Sequence, residues 1–403
     1  MIENQAEEGS SGTIMKTLDQ FWMWRAMELA QKGRGWVEPN PLVGCVIVRD
    51  GECVGEGYHE RFGGNHAEVN ALQQAGTAAE GATVYVTLEP CCHFGKTPPC
   101  VQALIRAHVE RVVIAMQDPF PKVAGGGVQQ LRDAGIEVEM GVLENDALKL
   151  NDPYLKLQLC RRPYVTAKWA MTLDGKIASR EYSSRWISGT KSRAKVHQLR
   201  SRMDAILVGA GTVTFDNPML NVRLNDFAEL GRGRIAPRTP IRVIADASLQ
   251  TPLAARVVET AREIPTLLLI GPNVSEEQKI PYLERGCEFF RSEKTDHAEQ
   301  LLDLLDELGK RQVTNLLVEG GSKVLGALWD VQEIDAVHAF IAPKLLGGSA
   351  AVTPVGGHGI GQIDSFAGLL DVEIEVLDSD IHYSGRVLHQ DTNARYGQWI
   401  ADG

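Results

Sequence analysis

Between His66 and Cys100 three metal-binding side chains must meet at one point, and that requirement shapes the chain on either side of them. The stretch reads His66-Ala67-Glu68 and, after a spacer, Thr87-Leu88-Glu89-Pro90-Cys91-Cys92-His93-Phe94-Gly95-Lys96-Thr97-Pro98-Pro99-Cys100. The imidazole of His66 and the thiolates of Cys91 and Cys100 make a zinc donor set that leaves a fourth position for water. Zinc brings the pKa of such a water down to about 7, so hydroxide is available at neutral pH without a strong base. Glu68 is then a proton carrier and not a ligand. Residues two apart on a regular helix point to nearly opposite sides, so His66 and Glu68 converge only where a helix begins. Gly63-Gly64-Asn65 before the histidine and Ala67 to Leu72 after it read as such a loop-to-helix start. Pro98-Pro99-Cys100-Val101-Gln102-Ala103-Leu104-Ile105 reads as a second, with proline suited to the first turn. The partial positive charge of helix N-termini favours thiolates and anionic intermediates.

A histidine, an acid two residues on, and a Pro-Cys with a further cysteine downstream form the pattern of zinc-dependent nucleobase deaminases. The alternative is a closed structural zinc site with Cys45, Cys92 or His93 as fourth ligand. Structural sites usually pair their ligands as C-x₂₋₄-C. Here eight residues separate Cys91 from Cys100, and Glu68 would have no purpose. The wide spacing also departs from the short P-C-x-x-C of the general deaminase pattern, which points to a subgroup.

A chain of 403 residues suggests two or three domains, and 44% hydrophobic with 23% charged residues is ordinary for a soluble globular protein. The formal net charge of −11 argues against nucleic acid as the main partner and leaves room for small anionic substrates in a local basic pocket. Seven cysteines in so long a chain do not form a disulfide framework, which fits a reducing compartment. No apolar run approaches membrane-spanning length, so no membrane partner is expected. Met1 to Gly12 is acidic and rich in Gly and Ser. Residues 1–16 are therefore expected to be a disordered tail, and the protein to be cytoplasmic.

Leu18 to Gln31 carries a helical pattern, Cys45 to Val48 a strand, Asp50-Gly51 a hairpin turn and Val54 to Tyr58 its return. Thr83 to Leu88 is a strand delivering the cysteine loop, and Val109 to Met116, Gly125 to Ala134 and Ile136 to Gly141 alternate strand, helix, strand. This predicts an α/β sandwich ending near Leu150. The chain begins again after Pro163, with strands at Tyr164 to Met171, Ala205 to Gly209, Ile241 to Ala245, Thr266 to Ile270 and Asn315 to Glu319. Helical stretches at Lys191 to Arg202 and Ala298 to Lys310 imply a second α/β unit with a largely parallel sheet, closed by an antiparallel pair at Val372 to Leu377 and Gly385 to His389.

Three constellations in the second half carry chemistry. Val318-Glu319-Gly320-Gly321-Ser322-Lys323 turns from an apolar strand into a helix, and exposed amides at such a turn suit a phosphate. It lacks the full G-x-G-x-x-G spacing, so a plain strand-to-helix turn is the alternative. Val208-Gly209-Ala210-Gly211-Thr212 again follows a strand, and Arg223 downstream supplies a cation; a structural turn with a surface arginine is the alternative. Arg161 to Arg202 holds eleven Lys/Arg against Asp174 and Glu181, which a phosphate-bearing ligand or a solvated face would each explain.

These residues together resemble the bifunctional riboflavin-biosynthesis deaminase/reductase family over nearly the whole chain. In the first half the resemblance rests on Asn40-Pro41-Leu42-Val43-Gly44, His66-Ala67-Glu68-Val69, Thr87-Leu88-Glu89-Pro90-Cys91, Gly95-Lys96-Thr97-Pro98-Pro99-Cys100 and Gln117-Asp118-Pro119. In the second it rests on Lys168 to Lys176, Ser184-Arg185-Trp186-Ile187, Gly211 to Arg223, Glu319-Gly320-Gly321 and Ala342 to Gly348. It implies an N-terminal cytidine-deaminase-like α/β/α sandwich over residues 17–157 and a C-terminal dihydrofolate-reductase-like α/β domain over 158–403. By position, the resemblance assigns Zn²⁺ to His66, Cys91 and Cys100 and the proton shuttle to Glu68. It assigns NADPH to Ala170, Trp186, Thr212, Asp216, Ser248 and the turn Gly321, Ser322, Lys323, Val324, Leu325, Gly326 and Ala327. It gives the ribosyl-phosphate substrate to Ser184, Arg200, Leu220, Arg223 and Glu319. Cys92 stands where a small residue such as serine is expected.

The chemistry implied is hydrolytic deamination of a phosphorylated pyrimidine, then hydride transfer from NADPH to the sugar's C1, opening ribosyl to ribityl. A homo-oligomer is compatible with it. Two rival readings stay open: a zinc deaminase of a nucleoside or RNA whose second domain only binds substrate, and a non-enzymatic zinc module with a nucleotide-sensing domain.

Overall fold

A computed structural model of the chain describes residues 6–92, 99–120, 125–223, 239–362 and 368–388. They belong to two compact units that part between Leu159 and Cys160. In the first, strands β1 (Gly44–Arg49), β2 (Glu52–Tyr58), β3 (Thr83–Val86), β4 (Arg111–Ile114) and β5 (Glu137–Met140) form a sheet of order β2-β1-β3-β4-β5. β1 is antiparallel to both neighbours, whereas β3, β4 and β5 run parallel. Asp50 and Gly51 both take positive φ, 52° and 79°, which makes the tight hairpin turn that the Asp-Gly pair announces.

Alternation along the strands sends side chains to two covered faces. Cys45, Ile47, Val84 and Val86 pack with Ala67, Ala71, Val101, Leu104, Val128 and Leu131 from the helices Ala67–Ala75, Cys100–Arg106 and Gly126–Asp133. The opposite face receives the helix Ala6–Gln31. Gly44 lies against it so closely that a Cβ there would be 1.9 Å from the Ala26 carbonyl oxygen. Helices on both faces give the expected α/β/α sandwich. The first helix is longer than the helical pattern suggests, for it begins at Ala6 inside the stretch read as a tail. The helix Glu144–Cys160 was not anticipated, and it runs through the place where the first sandwich was expected to end. Its Asn151 reads the Pro41-Leu42 loop as a backbone would: Oδ1 accepts from Leu42 N–H at 2.8 Å and Nδ2 donates to Leu42 O at 3.0 Å.

The second unit is built on nine strands: β6 (Tyr164–Thr172), β7 (Ala205–Gly209), β8 (Ile241–Ala245), β9 (Thr266–Ile270), β10 (Glu288–Arg291), β11 (Asn315–Val318), β12 (Ala336–Ala342), β13 (Leu369–Leu377) and β14 (Asp380–Val387). Their order is β10-β9-β8-β7-β11-β6-β12-β14-β13, parallel from β10 to β12 and antiparallel for the closing pair. Parallel strands covered on both faces read as unbroken apolar runs, which is why β7, β8 and β9 stand out in the sequence. Leu207, Val243 and Leu269 enter one core with the helices His297–Lys310 and Ser322–Asp330, while Ile206, Ile244 and Leu268 enter another. β10 and β12 are strands that the sequence reading does not contain. β12 carries His338 amid Ala336-Val337 and Ala339-Phe340-Ile341, a polar interruption that hides the run. His389, expected in the last strand, lies outside the described residues.

Candidate functional site

The helix Ala67–Ala75 owes its position to two glycines of β2. A Cβ at Gly57 would lie 2.3 Å from the Ala67 carbonyl oxygen, and one at Gly55 2.4 Å from that of Ala71. With hydrogens there instead, the helix backbone settles on the sheet, and His66 becomes its cap residue at φ −75°, ψ 163°. Glu68 falls in the first turn, 3% exposed. Cys100 opens the helix Cys100–Arg106 behind Pro99, as the paired prolines suggest. Cys91 follows the end of β3, and its carbonyl accepts from Val101 N–H at 3.3 Å, joining the two loop ends.

The donor atoms of His66, Cys91 and Cys100 lie within 4.8 Å of one another. His66 Nδ1 is 3.2 Å from Cys100 Sγ and 3.5 Å from Cys91 Sγ, and the Cys100 backbone N–H points at Cys91 Sγ from 3.3 Å. Hydrogen bonds from the Cys100 thiol, the His66 ring and the Cys100 amide pull Cys91 toward thiolate, to about 4. Cys100 goes the other way, pushed up by the sulfur beside it and by burial. Hydrogen bonding to Cys91 raises His66, and burial raises the Glu68 carboxyl. One nitrogen and two sulfurs, one of them drawn toward the thiolate by its hydrogen bonds, are a fitting donor set for zinc. Of the alternative fourth ligands, Cys45 packs in the core with Ala67 and Ala71, and Cys92 Sγ sits where a Cβ on Gly126 would come within 2.9 Å. Neither joins the cluster among the described residues; His93 lies outside them.

Two supporting side chains were given no role in the sequence reading, where Glu89 stood only inside a motif and His59 not at all. His59, buried beside His66 with ring centroids 5.5 Å apart, is 2.9 Å from Asn65 O at Nδ1 and 3.1 Å from Asn40 Nδ2 at Nε2. Burial lowers its pKa, so the ring is neutral, with its proton on Nδ1. Glu89 accepts from the backbone N–H groups of Gly125, Gly127 and Val128 at 3.0, 2.9 and 3.2 Å, anchoring the start of the cysteine loop to a helix N-terminus.

In the second unit the expected ligand residues gather around the carboxyl ends of the parallel strands, where open α/β sheets bind ligands. β7 and β11 are neighbours, and this brings the two glycine turns together: Gly209 N–H reaches Gly320 O at 3.4 Å, and Thr212 Oγ1 lies 3.5 Å from where a Cβ on Gly321 would be. Gly320 and Gly321 take φ of 107° and 56°, values that call for glycine. Ser322 and Lys323 open the helix beyond. Val324 and Leu325 turn their side chains into the core, and their amides already donate to Gly321 O. Gly326 is buried too, since a Cβ on it would meet the Gly356 backbone at 2.3 Å, and Ala327 packs on the core. Ala170 sits near the end of β6, Asp216 ends the helix Ala210–Asp216, and Ser248 is exposed just past β8. Trp186 is 65% exposed; the Arg193 guanidinium lies 4.9 Å from its ring, and its carbonyl accepts from Lys344 Nζ at 2.7 Å.

Among the expected substrate residues, Ser184 donates to Asp216, which joins one assigned to substrate with one assigned to cofactor. The Leu220 side chain is 2% exposed in the core, so only its backbone is on offer. Arg200 and Glu319 meet directly: Nε and Nη2 donate to the two carboxylate oxygens, and Nη1 donates to Asn221 O at 3.0 Å. Lys168 Nζ, 3.7 Å from Glu319, completes a buried charge triad. Burial pushes the Glu319 carboxyl up, but the Arg200 and Lys168 charges outweigh it and hold the group at about 2. Lys168 was quoted only as part of a motif. Its signal is a lone charge inside the apolar run Tyr164 to Met171, which demands a buried partner. Arg223 packs its guanidinium against His197, a contact between distant loop and helix positions with no local signature.

Comparison with known proteins agrees with both halves. Residues 16–116 match the family described as the cytidine and deoxycytidylate deaminase zinc-binding region, and residues 163–383 match the RibD C-terminal domain. The chain is 44% identical to riboflavin biosynthesis protein RibD of Actinobacillus pleuropneumoniae, covering 92% of this chain and 96% of that protein. To RibD of Escherichia coli it is 42% identical, covering 82% and 89%. A crystal form of Acinetobacter baumannii RibD superimposes with a TM-score of 0.80 at 38% identity, over 93% of this chain and all of that one. The diaminohydroxyphosphoribosylaminopyrimidine deaminase/5-amino-6-(5-phosphoribosylamino)uracil reductase of Thermotoga maritima gives 0.77 at 36%, again over 93% of this chain and 100% of that one. The chain belongs to the RibD family, bifunctional enzymes of riboflavin biosynthesis in which a zinc-dependent deaminase (a hydrolase) precedes an NADPH-dependent reductase (an oxidoreductase).

Proposed function

We propose that residues 17–157 deaminate 2,5-diamino-6-(5-phosphoribosylamino)pyrimidin-4(3H)-one and that residues 158–403 reduce the product's ribosyl group to ribityl, giving 5-amino-6-(5-phosphoribitylamino)uracil. The observation that carries the reading is the convergence of His66, Cys91 and Cys100 with a buried carboxylate, Glu68, on the same helix start. Zinc held by those three residues supplies the Lewis acidity that makes water a nucleophile near neutral pH. Glu68 takes the proton of that water and delivers it to the departing ammonia. His59 and Glu89 do not take part in proton transfer; they hold the loops that carry the ligands.

In the second domain NADPH supplies a hydride for the sugar C1. Gly321, Ser322 and Lys323 receive its phosphates through backbone N–H groups at a helix start, with Thr212, Asp216, Ala170, Trp186 and Ser248 around the same strand ends. The ribosyl phosphate falls to Arg223, with Ser184, Arg200, Glu319 and the Leu220 backbone shaping its surroundings. Arg200 serves chiefly through Glu319, because its fork is already engaged there.

We infer further that the enzyme works in the cytoplasm as a homo-oligomer, on a small phosphorylated pyrimidine and not on nucleic acid or membrane. No disulfide joins any of the seven cysteines, which suits a reducing compartment, and no helix among the described residues is long and apolar enough to cross a membrane. β13, last in its sheet, exposes Ile374 and Val376 by 65% and 72%, the kind of apolar edge that pairs with another chain.

One assay tests the central reading. The zinc-loaded full chain is given the diaminopyrimidine ribosyl phosphate with NADPH, and ammonia and NADPH oxidation are followed together. Both should be released or consumed in equal amounts, ammonia first; ammonia from cytidine instead, or NADPH oxidation with no ammonia, would overturn the reading.

A further inference from the structure

Just past β12 stands a lysine outside the assigned cofactor and substrate sets, and it holds the main chain that carries Trp186. Lys344 Nζ donates to Trp186 O and to Ile187 O, each at 2.7 Å. Neither carbonyl takes part in any other hydrogen bond among the described residues, and neither residue belongs to a helix or strand. A segment with no ladder of its own takes its shape from ties of this kind. An ammonium has three donors, so one lysine can serve both carbonyls at once.

The lysine is itself well founded. β6 and β12 are parallel neighbours, so the turns that follow them lie side by side. Across that seam Leu173 N–H donates to Lys344 O at 2.9 Å, and Asp174 accepts from Leu346 N–H at 3.1 Å and Gly347 N–H at 2.7 Å. The segment on either side of Trp186 and Ile187 is tied elsewhere. Ser184 and Arg185 donate to Asp216, Ser188 O accepts from Arg193 Nη1 at 2.7 Å, and Gly189 N–H donates to Asp380 at 2.6 Å. Lys344 thus governs the two residues left between those ties.

We propose that Lys344 is a positioning residue for the reductase's cofactor: its two hydrogen bonds set the main chain at Trp186 and Ile187 and so fix where the Trp186 indole stands when NADPH arrives. This rests on the assignment of Trp186 to NADPH. The indole is 65% exposed, so packing alone does not order it. Arg193 meets the ring, but the ring can stand only where its main chain puts it. A side chain that must be ordered on binding costs affinity for the ligand it touches. The loss therefore falls on NADPH, while Ser184, tied to Asp216, keeps its place for the substrate.

The test is steady-state reduction of the already deaminated ribosyl phosphate by the zinc-loaded full chain, with KM and kcat/KM measured for that substrate and for NADPH. Lys344→Met, Lys344→Arg, Trp186→Ala and the double variant Lys344→Met/Trp186→Ala are compared with the parent. Lys344 is exposed, so methionine there opens no cavity. Methionine keeps the stem and loses the donors; it should raise the NADPH KM about fivefold and the substrate KM less than about twofold. Arginine keeps donors for both carbonyls and should restore the NADPH KM to within about twofold of the parent. In the Trp186→Ala background, Lys344→Met should lower kcat/KM for NADPH by less than about twofold, because the group it positions is gone. Full additivity in the double variant would mean that Lys344 touches NADPH itself, and an equal rise of both KM values in Lys344→Met would make it a general support of the domain; either result overturns the proposal. If Trp186→Ala leaves kcat/KM for NADPH unchanged, the assignment of Trp186 is wrong and the proposal goes with it. If Trp186→Ala lowers it and Lys344→Met does not, only the role of Lys344 falls.

Discussion

Glu68 shows how little separates a catalytic residue from a buried liability. Its carboxyl is 3% exposed beside two sulfurs, a place where a charge is expensive unless it has work or a partner. Glu68→Gln keeps size and hydrogen bonding but cannot pass a proton. Deamination should fall about 10²–10⁴-fold while bound zinc stays stoichiometric and reduction of the deaminated intermediate continues. Metal content by absorption spectroscopy and the two activities measured separately check this; parallel loss of both would contradict separate sites. In the second domain Arg223→Lys keeps the charge and loses the fork, so the substrate should bind more weakly by roughly 2–4 kcal/mol with NADPH affinity nearly unchanged. Gly321→Val should do the reverse, because φ of 56° strains a β-branched residue and the added bulk blocks approach to the backbone. Isothermal titration of both ligands to both variants tells the two subsites apart, and an inverted pattern would mean that their assignment is exchanged.

At the scale of elements, the metal centre depends on how close one helix lies to one strand. Gly57→Ala puts a methyl group 2.3 Å from the Ala67 carbonyl oxygen, and the helix must move away or tilt. Overpacking of this kind costs about 1–3 kcal/mol. Since His66 and Glu68 ride on that helix start, zinc should also become easier to remove. Urea unfolding should show the loss of stability, and chelator competition a weaker metal site; a destabilised variant with unchanged zinc affinity would show that the helix start is held by something other than β2. The hairpin turn at Asp50-Gly51 and the apolar runs of β7, β8 and β9 could be read directly, since each is set by neighbours in sequence. β12 could not, because it is recognisable only by its partners β6 and β14.

Across the whole molecule, each unit keeps its own charge network. In the first, Arg111 donates to both oxygens of Asp19 at 2.9 and 2.8 Å, and Tyr85 donates to Oδ1 at 2.8 Å, tying the long first helix to β3 and β4. Asp19 and Arg111 side chains are only 3% and 7% exposed. Arg111→Met would leave Asp19 buried without its cation, at a cost of about 3–5 kcal/mol. Calorimetry of the variant should show the zinc-stabilised transition falling by several degrees and the NADPH-stabilised one staying in place; a shared fall would mean that the two units unfold as one.

The sequence by itself determined the metal chemistry, the order of the two activities and most of the buried strands. Ligand identity, Pro-Cys and glycine turns and unbroken apolar runs are local, and local patterns survive without a fold. Roles that need two distant positions were decided only in the tertiary structure. Whether the eight-residue gap between Cys91 and Cys100 closes on His66 depends on β3 and the helix Cys100–Arg106 both packing beside the helix Ala67–Ala75. Whether Arg200 meets a phosphate or Glu319 depends on where β11 ends relative to the helix Thr190–Arg200, and it ends at the carboxylate. A charge in a sequence has no direction. Burial gives it one, because in a medium that solvates ions poorly every charged group must face the partner that the fold has brought within reach.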